Sequence, residues 1–236
     1  MTQRKIDRKG ESGNVLFLIL IAVALFAALS YAVTQSTRSG SGSTDRETTA
    51  LNSATLTQYP TALRTAVVRM ILSGNDMDDI GFDVPGSTGY NAASTESLVF
   101  HPDGGGAVYQ TASQDPVVAG ASGRWYINGN FEIPDIGQDN NALSNDVIAF
   151  LPLVTLGVCN KINSEFGVDT SGDPPDFDAT NASITDDHEV ADTFPTGPGE
   201  IITTAEFAGN PTGCFEDANI NGGSTGYVLY VVIMER

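Results

Sequence analysis

The chain has 236 residues, with 29 acidic against 11 basic side chains, a formal net charge of −18 and a pI near 4.1. That length accommodates one ordinary domain plus an anchor or a large insertion, and a charged fraction of 17 % with 25 glycines points to a loop-rich β or α+β body rather than a helical bundle. From Met70 onward 25 acidic residues stand against Arg124, Lys161 and Arg236, a net −22; such a surface repels phosphate backbones and argues against nucleic acid as a partner.

The N-terminus has the opposite character. Arg4, Lys5, Arg8 and Lys9 fall within the first nine positions, and an uncharged run, Val15–Val33, follows. As a helix, those 19 residues rise about 28 Å, close to the hydrocarbon thickness of a bilayer. Apolar residues surround the helix instead of striping one face. The basic leader places Met1–Gly13 in the cytoplasm and sends the rest across the membrane. A cleaved secretory signal is the competing reading. Ala28-Leu29-Ser30 and Ser30-Tyr31-Ala32 offer small-x-small sites, but the apolar run is longer than a signal's usual core.

The leader RKIDRKGESG followed at once by NVLFLILIAVALFAALSYAV resembles the N-terminus of type IV prepilins and pseudopilins. The resemblance covers about the first 35 residues. It implies that a membrane-embedded prepilin-type peptidase cuts after Gly13 to leave Asn14 first, with Gly10-Glu11 as a second candidate position. It also implies that the apolar helix packs with other subunits. Two features depart from the pattern. Asn14 replaces the usual Phe-like first residue, and Leu18 stands at the fifth mature position, where most members carry a Glu that meets a neighbour's amino group. The departures point to a minor pilin or pseudopilin rather than a major one.

Beyond the membrane, Gln35–Thr44 is rich in Ser, Thr and Gly, and Gly40 and Gly42 predict a flexible linker over 35–44. Asp45 then reads as the cap of a second helix, with Glu47 in its first turn. Leu56, Tyr59, Leu63, Ala66 and Met70 recur at helical spacing, widened by Val67 and Ile71. They form one stripe that should lie on a sheet. Pro60 should kink this helix, and Gly74-Asn75 should end it.

The body, 45–236, reads as an α+β domain: an amphipathic helix on a mainly antiparallel sheet with long loops. Ser97–Phe100 and Ala107–Thr111 suggest a hairpin closed by Gly104-Gly105-Gly106. No helix start and no Lys accompany those glycines, so they read as a turn rather than a phosphate loop. Arg124–Gly129 reads as strand and turn, with Trp125 a core or strand-face residue rather than a ligand platform. Asn145–Phe166 alternates between candidate strand and helix: Asp146–Val154 is strongly apolar except for Pro152, and Leu156, Cys159 or Asn160, Ile162 and Phe166 suggest a helix ending at Gly167. The acidic stretch Asp169–Gly199 reads as a surface loop, Ile201–Phe207 as a short ordered piece, and Tyr227–Met234 as a central strand covered on both faces.

The two cysteines, Cys159 and Cys214, should pair outside the cytoplasm. The pilin resemblance also implies a disulfide-closed C-terminal region. Catalytic prospects are thin. His101 and His188 are the only histidines, and neither has an evident nucleophile and orienter. Asp76, Asp78 and Asp79 before Gly81 partly match a calcium loop, but Ile80 stands at the fifth position and Ser87 at the twelfth, where a bidentate Glu is needed. Asp169, Asp173, Asp176 and Asp178 have no recognised ligand spacing. The sequence therefore predicts no catalytic, cofactor or metal site. The expected role is a pilin-like structural subunit of the inner membrane, with its body in the periplasm or outside the cell. Its expected partners are the membrane, other pilin-like subunits or envelope assembly proteins, and the peptidase. The alternative is a single-pass envelope protein with a binding or enzymatic domain.

Overall fold

A computed structural model describes residues 12–91, 94–137, 145–168, 172–177, 183–185, 200–202, 205–220 and 222–235. By internal contacts the chain divides into two units, Met1–Thr48 and Thr49–Arg236. One helix, α1 (Ser12–Leu72), contributes to both. Its backbone is continuous through 35–44, so the linker expected there is helical and Asp45 does not start a second helix. The glycines at 40 and 42 each cost a helix only about 1 kcal/mol relative to Ala. Helix already formed on both sides spares the segment a new nucleus. Pro60, where a kink was expected, lies inside α1.

The body is built on a five-stranded sheet in the order β3-β1-β2-β5-β4. Its strands are β1 (Tyr126–Glu132), β2 (Asp146–Val154), β3 (Glu200–Ile201), β4 (Thr212–Asp217) and β5 (Gly226–Met234). All neighbours are antiparallel except β1 and β3. A second helix, α2 (Leu156–Phe166), follows β2 and ends at Gly167, whose φ of 77° is the left-handed conformation that glycine tolerates without strain. Pro152 lies past the last β1 pair, Tyr126↔Phe150, in a part of β2 that still pairs with β5 and, just beyond, bridges Val117 through Val154. The register shifts just beyond, and Leu153 takes a φ of 61°. This bulge ends the strand and leads into α2.

Side chains alternate between two cores, as the two-residue period of a strand requires. Val147, Ala149 and Leu151 of β2, with Leu229, Val231 and Ile233 of β5, face α1 and α2. The stripe read from the sequence lies here. Leu56, Leu63, Ala66, Val67 and Met70 are buried, and Tyr59 and Ile71 pack against them. Ile148 and Phe150, with Val228, Tyr230 and Val232, face the other way into an aromatic core. Among the described residues no α-helix covers that second face. Val168, Phe177, Ile184, Ile202 and Phe207 do so, from loops and short turns. The stretch expected to be a plain surface loop is thus pinned where it is described. Phe177 and Ile184 are 6 % and 2 % exposed.

The hairpin expected around 97–111 is instead a compact turn. Leu98 bridges Gly81, the Gly105 N–H donates to the Leu98 carbonyl, and the Ala107 N–H donates to Val99. A Cβ at Gly104 would stand 2.3 Å from the Leu98 carbonyl oxygen and one at Gly105 2.4 Å from that of Val99. The glycines are there because backbone packs on backbone.

Tyr59 links α1 to this part of the body. Its ring lies 5.7 Å from that of Trp125, and its hydroxyl accepts the Gln110 N–H. Burial, only partly offset by that hydrogen bond, pushes the phenol up to about 12. The fold therefore favours the neutral form. This contribution is complete below the ordinary tyrosine pKa of about 10 and is lost as pH rises from there towards 12. Burial raises Tyr230 as well. We expect stability of the full chain in detergent, followed by denaturant midpoint, to fall steeply above pH 10. Tyr59→Phe should shallow that fall, and an unchanged profile would remove Tyr59 as a cause.

Candidate functional site

The N-terminal half of α1 is the feature most unlike a soluble protein. Val15–Thr34 has a mean hydropathy of 2.7 and none of it is buried. Phe17, Leu25, Phe26 and Leu29 are each at least 60 % exposed. Twenty helical residues reach about 30 Å, the thickness of a bilayer core. At the polar end the Thr34 hydroxyl donates to the Ser30 carbonyl, so it carries no unsatisfied hydrogen into an apolar medium. Among the described residues this is the one helix long and apolar enough to cross a membrane, a property that a signal sequence shares. Gly13 and Asn14 fall in the first turn of α1, while Gly10 and Glu11 lie outside the described residues. Leu18, 59 % exposed, puts an aliphatic side chain at the fifth position after Gly13.

In the body, the disulfide joins Cys159 of α2 to Cys214 of β4, with Cα atoms 5.3 Å apart. Asn163, one turn further along α2, meets the same residue. Its side-chain amide donates to the Cys214 carbonyl and accepts the Cys214 N–H, both at 2.7 Å. The side chain thus stands in for a neighbouring strand on the outer edge of β4. Two residues on, the Glu216 N–H donates to Pro175 and its carbonyl accepts the Phe177 N–H. The edge is closed at both positions, which protects it from pairing with another chain.

The remaining sequence candidates do not converge. His101 packs on Tyr90, and its Nδ1 accepts the Asp103 N–H. That same nitrogen lies 3.6 Å from an Asp103 carboxylate oxygen. A nitrogen that accepts the backbone hydrogen has no proton of its own to offer, so the hydrogen bond describes the contact better than an ion pair does. His188, Asp169 and Asp178 lie outside the described residues. Asp76 caps a short 3-10 turn by accepting the Asp78 N–H. Among the described residues, no three His, Cys, Asp or Glu side chains stand close enough to hold a metal ion. A polar cleft of about 380 Å³ lies at the C-terminal end of α1, lined by Arg69, Asn75, Glu96 and Asp103. Arg69 is already tied there to the Gly105 carbonyl.

Three structural residues escaped the sequence reading. Asn163 looked like an ordinary helix position, and its polarity amid Val158, Cys159 and Ile162 was the available signal. Phe177 was an isolated aromatic in polar surroundings, and Phe207 was read only as the end of the short ordered piece Ile201–Phe207, without its place in a core. Comparison with protein-family models, with curated proteins and with solved structures finds no match to this chain.

Proposed function

We propose that the chain is a membrane-anchored, pilin-like structural subunit, a minor pilin or pseudopilin of a cell-envelope filament or secretion apparatus. It crosses the inner membrane once, with Met1–Gly13 in the cytoplasm and the body in the periplasm or beyond. The observation that carries this reading is the continuity of α1. The helix runs from Ser12 to Leu72 without a break at the end of the apolar run. The apolar run, longer than the usual core of a secretory signal, favours a retained anchor over cleavage at 28–30 or 30–32. One helix thus supplies an exposed apolar segment and part of the cover of a mainly antiparallel sheet, which is consistent with a pilin-like subunit. Leu18 in place of an acidic residue eases insertion, since a carboxylate at the bilayer centre costs about 3 kcal/mol. The same substitution forgoes a charge pairing between subunits, consistent with a subunit present in few copies.

The partners on this reading are the membrane, other pilin-like or envelope assembly proteins, and a prepilin-type peptidase. Replacing Gly13 with a bulky residue, as in Gly13→Phe, should stop removal of the leader while leaving membrane insertion intact. Co-expression with a prepilin peptidase, read by gel shift and intact mass, provides the test. Equal processing of both forms would remove Gly13 from the cleavage site.

A further inference from the structure

The disulfide between Cys159 and Cys214 is sealed inside the body, since both residues are 0 % exposed. Thiol–disulfide exchange requires a thiolate to attack one of the two sulfurs. In the closed fold no reagent reaches them, so exchange waits for α2 and β4 to part. Local openings of this kind occur without unfolding of the whole domain. Their frequency is set by whatever else joins the helix to the strand.

At this seam that role falls to Asn163, which is also 0 % exposed. It lies one helical turn after Cys159 on α2. Both of its bonds run to the backbone of Cys214 itself, one to the carbonyl and one from the N–H, each at 2.7 Å. Val158 and Ile162 add apolar packing from the same helix, but such packing has no direction and fixes no register. Asn163 therefore holds the strand residue against the helical turn that carries its partner cysteine. While both bonds hold, the two Cα atoms stay near 5.3 Å apart, inside the span of about 4.4–6.8 Å that a disulfide bridges. Nothing in that restraint depends on the S–S bond.

We propose that Asn163 makes the α2–β4 seam a redox latch. In the oxidised protein it keeps the disulfide shielded from thiols, and in the reduced protein it holds the two thiols in bridging position. In reduction, a reagent thiolate bonds to one cysteine sulfur and expels the other as a thiolate, which takes a proton. A second reagent thiolate frees the first cysteine, so two reagent thiols become one reagent disulfide. Closure is the reverse, with a small-molecule disulfide as oxidant. Asn163 takes no part in the exchange itself; it is a positioning residue that sets how often the seam opens. The latch belongs to the body alone, and processing at Gly13 can fail without affecting it.

The test follows reduction of the full chain in detergent by dithiothreitol, with free thiols alkylated at intervals and counted by intact mass. Asn163→Leu should be reduced at least tenfold faster than the wild type. Asn163→Ser, which cannot bridge both backbone groups, gives the same reading if the leucine variant does not fold. Ile148→Ala empties a fully buried site on the opposite face of the sheet and serves as the control for global destabilisation. Compared at equal global stability, it should be reduced at the wild-type rate. The reduced wild type should keep amide protection along β4 and reclose within the chain when given oxidised glutathione. Asn163→Leu should reclose at least tenfold more slowly and accumulate the mixed disulfide. Reduction of the Asn163 variants no faster than that of the stability-matched Ile148→Ala would overturn the proposal. So would equal rates of reclosure, or a reduced wild type that has lost protection along β4.

Discussion

Phe215→Ala is expected to destabilise the body by about 3–5 kcal/mol, the usual cost of emptying a buried phenylalanine site. Phe215 is fully buried at the centre of the aromatic core. Its ring meets Phe177 at 5.3 Å, Tyr230 at 6.2 Å and Phe207 at 6.3 Å. Two of those partners come from segments without regular strands, so the substitution removes both a side chain and the seat of the loops around it. In the full chain in detergent, the denaturant midpoint should fall and proteolysis near 172–177 and 205–207 should accelerate. A loss below about 1 kcal/mol, small for a buried aromatic, would mean that the second face is not held by this cluster.

The second large effect concerns the junction of α2 with β4. Removing the disulfide as Cys159→Ala with Cys214→Ala frees a loop whose ends are 55 residues apart, worth about 4 kcal/mol in the chain-entropy model. The fold should nevertheless survive, because Asn163 still makes both of its bonds to Cys214. Asn163→Leu should cost about 3 kcal/mol with the disulfide intact, since it orphans a buried N–H and a buried carbonyl at once. Combining the three substitutions should unfold the α2–β4 region, seen as lost amide protection along β4. If Asn163→Leu is neutral in both backgrounds, the edge is held by the disulfide alone.

The elements with strong local signatures were legible in the sequence. The apolar run, the stripe from Leu56 to Met70, β2, α2 with its Gly167 stop and β5 each state their period or their punctuation in adjacent residues. Where the linker was expected the structure has helix, because Gly40 and Gly42 are weak breakers in a helix held at both ends. The hairpin was misread because the same glycines that permit a tight turn also permit backbone to pack on backbone, and only the tertiary partner, Leu98-Val99, decides between them. The cover of the second face was invisible for a related reason. Phe177, Ile184 and Phe207 acquire meaning only against Phe131, Phe150 and Tyr230, which are far away in sequence. Of the site residues, the pairing of Cys159 with Cys214 was named from sequence and is present in the structure, whereas the clamp by Asn163 depends on a 51-residue separation that no local pattern encodes.

The central claim is that the N-terminal helix is a processed and retained anchor. The intact mass and N-terminal sequence of the mature protein, extracted from membranes of cells that contain a prepilin peptidase, test it most directly. The account predicts a membrane-bound chain that begins at Asn14. A mature chain that begins near Met1, or a soluble one that begins after Ala32, would contradict it.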